Sequence, residues 1–119
     1  MEAQAYADEM QSTGVFAHDD NRGDGVGENL YYAKSGSGDR ELAIQTTDVA
    51  TRSWYEKEEF MYTYEGEYVS GTGHFTQVVW AGTCDVGCGR SENYVVCRYY
   101  AAGNNLSTFA ENVFEPTPP

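Results

Sequence analysis

The spacing of apolar residues near the start of the chain predicts an amphipathic helix. Ala3, Tyr6, Ala7 and Met10 recur at i, i+3, i+4 and i+7, which places their side chains on one helical face. Gly14 is suited to end this helix, because glycine readily adopts the left-handed conformation that follows a last helical turn. We therefore expect the chain to open inside a helix that ends near Gly14.

A second helix is predicted to begin near residues 47–48, where a threonine and an aspartate are both good N-caps, and to run through Trp54 towards Phe60. On this helix Glu58 shares the face of Trp54, whereas Glu56 is turned well away. Glu58 is therefore the carboxylate expected to point inward. The predicted inward stripe consists of Val49, Ala50, Ser53, Trp54, Lys57, Glu58 and Met61.

The later part of the chain has a strand-like pattern. The runs 77–80 and 94–100 are predicted to be strands, paired antiparallel and joined by the glycine- and cysteine-rich segment between them. This interpretation places His74, a possible ligand, at the mouth of the first strand. A turn follows the second strand, and three apolar residues are expected to pin the C-terminal segment to the body of the protein: Phe109, Val113 and Phe114.

Length and composition indicate one small globular domain over residues 1–119, because 119 residues that are 40% hydrophobic provide a single core but not two. Seven basic and nineteen acidic residues give a formal charge of -12, which repels nucleic acid and anionic lipid surfaces at long range. No apolar run approaches the roughly 18 residues that a membrane-spanning helix needs. We therefore expect no nucleic-acid partner and no transmembrane segment.

Four short segments occur in the order typical of one protein family: 27–30 (GENL), 73–80 (GHFTQVVW), 86–89 (VGCG) and 94–99 (YVVCRY). Together they resemble the CAP superfamily, which groups cysteine-rich secretory proteins, insect venom antigen 5 and the plant pathogenesis-related proteins of group one. The resemblance is strongest over residues 71–104. It implies an α+β fold, the three-layer α-β-α sandwich with a central antiparallel sheet. Family members usually carry a further stretch before the position of Met1, so the first helix is expected to be shortened here.

The same resemblance implies a site built from two histidines and two glutamates. His18 lies in a segment similar to the family's aromatic-x-His-Ser, Glu28 matches the glutamate of Gly-Glu-Asn-Leu, and His74 matches the second histidine. Family members commonly show Trp-x-x-Glu, but the third residue after Trp54 is a lysine, and a one-residue insertion restores Glu58. Glu56 is the second choice. Imidazole and carboxylate ligands suit Zn²⁺ or another divalent cation, so a metal pocket is expected.

The chain has three cysteines, so at least one is unpaired within a monomer. The resemblance implies a disulfide between Cys88 and Cys97, which leaves Cys84 free and indicates an oxidising compartment. A hairpin of about ten residues could close this bridge, which would stabilise the fold by about 2–3 kcal/mol. The alternative is three reduced thiols in a cytosolic protein.

These observations favour a CAP-domain binding protein that holds a divalent cation and engages a lipid, a sterol or a protein partner. The sequence contains neither a serine elbow nor a helical His-Glu-x-x-His signature. A metal-dependent hydrolase is therefore the alternative hypothesis. A secreted defence or venom-type effector that acts through its surface is a third. Four rings precede His74 and would line one side if they alternate: Phe60, Tyr62, Tyr64 and Tyr68. Packing is the commoner explanation for such a stretch, but the family resemblance implies a lipid contact as the alternative.

The expected location is extracellular. The tail 109–116 resembles the Golgi-associated branch of the family, so an intracellular, Golgi-membrane-associated protein is the alternative. A monomer and a dimer are both compatible with the sequence.

Overall fold

The computed structural model describes residues 3–32 and 47–116. The elements follow in the order α1 (Ala3–Thr13), β1 (Val26–Tyr32), α2 (Thr47–Glu56), a 3₁₀ turn (Glu59–Met61), α3 (Gly73–Val79), β2 (Asp85–Arg90), β3 (Tyr94–Tyr100) and α4 (Phe109–Asn112). None of the helices in these two ranges has the length and apolar character needed to cross a bilayer. The capping roles predicted for the side chains of residues 47–48 lie outside the described side chains.

Within the described ranges the strands form a three-stranded antiparallel sheet in the order β1-β3-β2. The central strand β3 is buried on both faces from Tyr94 to Tyr99, which explains why its sequence is almost entirely apolar. Side chains along β3 point alternately to the two faces of the sheet. The strand therefore presents one set of residues to each helical layer.

Helix α1 covers one face of the sheet. Its four predicted core residues are buried and form one cluster with Leu30 of β1 and with Tyr94 and Val96 of β3. Gly14 ends the helix with a φ of 74°, and its backbone N–H donates to the carbonyl of Met10 at 2.7 Å. The prediction for this helix is confirmed.

Helix α2 lies on the opposite face of the sheet. Ala50 and Trp54 pack against the other set of β3 residues, Val95, Cys97 and Tyr99. The indole Nε1 of Trp54 donates to the carbonyl of Leu30 at 3.0 Å, which ties this helix to the edge strand β1. Helices thus cover both faces of an antiparallel sheet, and the predicted α+β sandwich is confirmed.

The predicted strand over residues 77–80 is wrong, because residues 77–79 form the end of α3 and Trp80 follows as its C-cap. The apparent alternation misleads because Gln77 is buried rather than facing solvent. Its side chain accepts a hydrogen bond from the backbone N–H of Gly103 at 2.9 Å and donates to Oγ1 of Thr83 at 3.2 Å. Tertiary partners for a polar residue therefore outweigh the strand propensity of its β-branched neighbours. His74 accordingly lies in the first turn of a helix and not at the mouth of a strand.

The actual hairpin partner of β3 is β2, the glycine- and cysteine-rich segment that was expected to be a connection. Strand β1 was not predicted either, although it contains residues 27–30. A third core cluster contains Phe109 and Val113, so two of the three residues expected to pin the C-terminal segment do so. Phe114 does not, because 63% of its surface is exposed.

Candidate metal centre

A cleft of about 330 Å³ brings distant parts of the chain together. All four residues predicted as the metal site lie in its lining, which consists of His18, Glu28, Asn29, Glu58, Tyr68, Gly71, Gly73, His74 and Asn104. Strand β1 supplies Glu28, the first turn of α3 supplies His74, and the loop between α1 and β1 supplies His18. A larger cavity of about 590 Å³ lies beside β2, but neither histidine lines it.

His74 and Glu58 form one imidazole–carboxylate pair. Oε2 of Glu58 is 2.7 Å from Nδ1 of His74, and Oε1 accepts the backbone N–H of Phe75 at 2.9 Å. The imidazole is also stacked on the ring of Trp54, with 6.3 Å between centroids and 7° between planes. A carboxylate oxygen accepts this hydrogen bond, so in the neutral imidazole Nδ1 carries the proton and Nε2 is the nitrogen with a lone pair for a ligand.

Glu58 reaches His74 because helix α2 ends at Glu56 and the chain then tightens. The backbone N–H of Glu58 donates to the carbonyl of Tyr55 at 3.3 Å, an i to i-3 bond that turns Glu58 towards α3. The helix that was predicted to turn Glu58 inward ends before this residue, so the turn that follows the helix accounts for its position. Two other residues of the predicted inward stripe, Lys57 and Met61, are exposed. Glu56 is exposed as well.

His18 and Glu28 form the second pair. Oε1 of Glu28 is 2.7 Å from Nδ1 of His18 and also accepts the backbone N–H of Asp19 at 3.1 Å. The side chain of Glu28 is completely buried, whereas that of His18 is 54% exposed. The buried glutamate therefore anchors the pair, and the exposed imidazole lines the cleft. Its neutral form carries the proton on Nδ1, as in the first pair.

Arg98, on the buried strand β3, supports the second pair from below. Its Nε and Nη2 lie 3.2 and 3.1 Å from Oε2 of Glu28, and Nη2 lies 2.8 Å from Oδ2 of Asp19. The guanidinium is also 5.2 Å from the ring centroid of Tyr6 on α1. Sequence reasoning missed both Arg98 and Asp19. The available signal was a single charged residue inside an otherwise uncharged buried strand, since a buried charge requires partners.

This network holds both buried carboxyl groups in the charged form. Burial alone would raise the pKa of Glu28, but hydrogen bonds from His18, from the backbone of Asp19 and from Arg98 outweigh it and hold that pKa below 4.5. Burial likewise opposes ionisation of Asp19, whereas the backbone N–H of Asn21 and the guanidinium of Arg98 lower its pKa below 3.8. Two carboxylates therefore face one guanidinium at neutral pH.

Two asparagines that sequence reasoning also missed fix the start of α3. Nδ2 of the buried Asn29 donates to the carbonyl of His74 and to the hydroxyl of Tyr99, both at 3.2 Å. Burial raises the pKa of Tyr99 to about 12. Nδ2 of Asn104 donates to the carbonyl of Gly73 at 2.9 Å. The asparagine of the GENL segment thus links β1 to the turn that carries His74.

These contacts assign different roles to the histidines and the glutamates. All four carboxylate oxygens of Glu28 and Glu58 already accept hydrogen bonds from protein groups, whereas each imidazole directs Nε2 away from its glutamate. Carboxylates that hold Nδ1–H in this way orient a metal-binding imidazole and increase its basicity. Across residues 3–32 and 47–116, no three His, Cys, Asp or Glu side chains converge closely enough to bind a metal ion by themselves. The two imidazoles line one cleft and each turns Nε2 away from its glutamate, so they are the candidate donors for a cation, whose coordination water or a further ligand would complete.

The aromatic residues proposed for lipid contact do not share one face. Tyr62 is only 5% exposed and belongs to the third core cluster, and the partly buried Tyr64 donates its hydroxyl to Oε2 of Glu59 at 2.8 Å. These two rings therefore pack into the protein, and a lipid contact of this stretch stays a prediction. Phe60 is 75% exposed and Tyr68 is 46% exposed at the rim of the cleft.

Cys88 and Cys97 form a disulfide, and they lie directly opposite one another in the pairing of β2 with β3. Cys84 is free and exposed. Both observations agree with the assignment that the resemblance implied.

Comparisons with known proteins agree with this architecture. The family model described as "CAP: Cysteine-rich secretory protein family" matches residues 1–101. Human Golgi-associated plant pathogenesis-related protein 1 is 35% identical over 124 residues, which cover 97% of this chain and 75% of the relative. Protein PRY2 of Saccharomyces cerevisiae is 38% identical over 120 residues, which cover 93% of this chain but only 31% of the yeast protein. The solved structure of BmVAL-1 superposes with a TM-score of 0.73 at 26% identity, over 90% of this chain and 58% of that one.

Proposed function

This chain belongs to the CAP family of cysteine-rich secretory proteins, and we propose that it is a non-enzymatic binding domain that holds a divalent cation, Zn²⁺ first among them, between His18 and His74. A lipid, a sterol or a protein partner is bound elsewhere on its surface. The observation that supports the proposal is the matched pairing of each imidazole with a glutamate, with 2.7 Å between Nδ1 and the carboxylate in both pairs.

Zinc suits this donor set because it accepts neutral imidazole nitrogen and tolerates open coordination positions. Zinc held by two imidazoles has two remaining positions for water or for an atom of a bound partner. Affinity is therefore expected to be lower than at a structural site with four protein ligands, and metal binding is expected to respond to pH through protonation of the imidazoles.

Native mass spectrometry of protein purified without chelator tests the proposal. The exposed thiol of Cys84 could itself bind zinc, so the experiment is done in a Cys84→Ser background. We expect one zinc adduct in this background and its loss in His18→Ala and in His74→Ala. A protein that stays metal-free after zinc is added, or an adduct that survives both histidine substitutions, would contradict the proposal.

A metal-dependent hydrolase is the second candidate, because a zinc ion with open positions can lower the pKa of a bound water and supply a nucleophile. The described residues that line the cleft offer one side-chain hydroxyl, that of Tyr68. The nearby hydroxyls of Thr72 and Thr76 are buried and already have acceptors. That of Thr72 donates to the carbonyl of Val69 and that of Thr76 to Oδ1 of Asn104, both at 2.6 Å. The hydrolase reading requires turnover that chelation abolishes, that zinc restores, and that His74→Ala eliminates.

A lipid or sterol contact is proposed for Phe60 and Tyr68. Tyr68 lines the cleft, so an apolar partner bound to its ring would lie beside the cleft, and Phe60 is the more exposed of the two rings. Flotation with vesicles of phosphatidylcholine, with and without a sterol, measures this contact. We expect Phe60→Ala to reduce flotation and Phe114→Ala, which alters another strongly exposed ring, to leave it unchanged. Equal flotation of both variants would assign the contact elsewhere.

We propose that the protein acts in an oxidising compartment outside the cell, because a disulfide joins its central hairpin. One relative is described as Golgi-associated, which keeps a Golgi-membrane location as the alternative. Fractionation of expressing cells, with the redox state of Cys88 and Cys97 read by thiol labelling, distinguishes these locations. Sedimentation of the purified protein reports whether it is a monomer or a dimer.

A further inference from the structure

We propose that Arg98 is a positioning residue for the metal centre, which fixes the Glu28 carboxylate so that Nε2 of His18, and not Nδ1, faces the cleft. The inference rests on the proposed metal function for its biological role. Its structural part, the control of the His18 tautomer, is measurable without any metal.

The two carboxylate oxygens of Glu28 bind different partners. Arg98 approaches Oε2 through Nε and Nη2, at 3.2 and 3.1 Å. Oε1 is thereby left to Nδ1 of His18 at 2.7 Å and to the backbone N–H of Asp19 at 3.1 Å. Because two donors of the guanidinium converge on one oxygen, that oxygen is committed to Arg98, and the other remains available to the histidine.

Helix α1 is connected to this pair through Tyr6. The ring of Tyr6 lies against the guanidinium of Arg98, and its hydroxyl donates to the carbonyl of Ala17, the residue before His18. Asp19, the residue after His18, accepts from Nη2 of Arg98 at 2.8 Å. The segment that carries His18 is therefore held on both sides of the histidine by groups that converge on one buried arginine.

The pair of Glu58 and His74 has different supports. Glu58 is oriented by the backbone N–H of Phe75 at 2.9 Å, and His74 is stacked on Trp54. Removal of Arg98 should therefore disturb His18 and spare His74. This difference makes His74 an internal control within the same molecule.

The test uses ¹⁵N-histidine NMR of the metal-free protein, which reports the tautomer of each imidazole, and zinc titration by calorimetry in the Cys84→Ser background. The variants are Arg98→Met and Arg98→Lys, with Arg52→Met, an exposed arginine on α2, as the matched control. In Arg98→Met we expect His18 to become a mixture of tautomers while His74 is unchanged, and zinc affinity to fall about 10–100-fold. Arg98→Lys keeps the positive charge but replaces the two guanidinium donors with one ammonium group, so we expect a tautomer mixture and a zinc affinity between those of the wild type and Arg98→Met. This variant also provides the test if Arg98→Met does not fold.

A folded Arg98 variant with the wild-type His18 tautomer overturns the inference, even if its melting temperature is lower. A purely structural role would reduce stability in this way without moving the tautomer. If the wild type fails to bind zinc but its Arg98 variants still change the His18 tautomer, the metal function is contradicted and the positioning role stands.

Discussion

Glu58 and His74 lie sixteen residues apart in the chain, and the carboxylate of the first holds Nδ1 of the second at 2.7 Å. The contact joins the turn after α2 to the first turn of α3. It gives His74 the same tautomer that Glu28 gives His18, although the two glutamates come from unrelated elements. The cleft is thus built from two equivalent imidazole donors on different supports.

Substitution of Glu58 by glutamine should weaken metal binding without unfolding the protein. The amide keeps the shape of the side chain but loses the charge that holds Nδ1–H, so zinc affinity is expected to fall about 10–100-fold in calorimetry. Glu56→Gln, an exposed glutamate two residues away, is the matched control and should bind zinc as the wild type does. An equal loss in both variants would contradict the role given to Glu58.

Acid should destabilise the protein through Glu28 and Asp19. Both groups have folded-state pKa values below their ordinary values of 4.5 and 3.8. Their contribution to the free energy of unfolding is therefore fully present above those values and is lost as the pH falls through the folded-state pKa. Urea unfolding at a series of pH values measures this loss.

Asp19→Asn provides the corresponding variant. We expect it to lower the free energy of unfolding at neutral pH by about 1–3 kcal/mol, because a buried charged hydrogen bond to Arg98 is lost, and to flatten the acid limb of the curve. The neighbouring Asp20 is exposed, so Asp20→Asn should leave the curve unchanged. Parallel acid limbs in wild type and Asp19→Asn would show that the network does not carry the pH dependence.

Reduction of the Cys88–Cys97 bridge should destabilise the hairpin of β2 and β3. The bridge spans nine residues of sequence, so its loss is expected to cost about 2–3 kcal/mol of stability. Chemical denaturation of the Cys84→Ser variant, with and without reductant, measures the difference without thiol exchange from the third cysteine. Identical unfolding curves would mean that the bridge adds little to the native state.

Gly89→Ala should be destabilising because α1 packs directly on the backbone of β2. A methyl group at this position overlaps the backbone of Gln4, and the resulting overpacking is expected to cost about 1–3 kcal/mol. Gly87, two residues earlier on the same strand, has open space at the corresponding position. Gly87→Ala should therefore change the melting temperature little, and a comparable loss in both variants would contradict this account of the packing.

Local sequence patterns predicted the elements that need only an apolar surface to pack against. Helix α1 follows from four apolar residues at helical spacing and a glycine, because any apolar sheet face would bury that stripe. Strand β3 was predicted from its nearly continuous apolar run, which results from the burial of both of its faces. Strand β2 was missed because most of its residues are exposed and glycine-rich, so no alternation marks it. Its pairing is imposed by β3 rather than by its own sequence.

Helix α3 and the Arg98 network depended on contacts between distant residues. Gln77 is buried because the backbone of Gly103, twenty-six residues away, donates to it, and no local period encodes that bond. Arg98 and Glu28 are separated by seventy residues. Family resemblance identified His18, Glu28 and His74, and for Glu58 it was joined by the predicted inward face of the second helix. The different roles of imidazole and carboxylate required the geometry.

Anomalous X-ray scattering at the zinc edge, on crystals grown with zinc, tests the central claim most directly. The account predicts one peak in the cleft, about 2.0–2.1 Å from Nε2 of His18 and of His74, with Glu28 and Glu58 outside direct contact and bonded to Nδ1. A peak coordinated by either glutamate or by Nδ1 would contradict the assigned roles. The absence of any peak between the two histidines would contradict the metal centre itself.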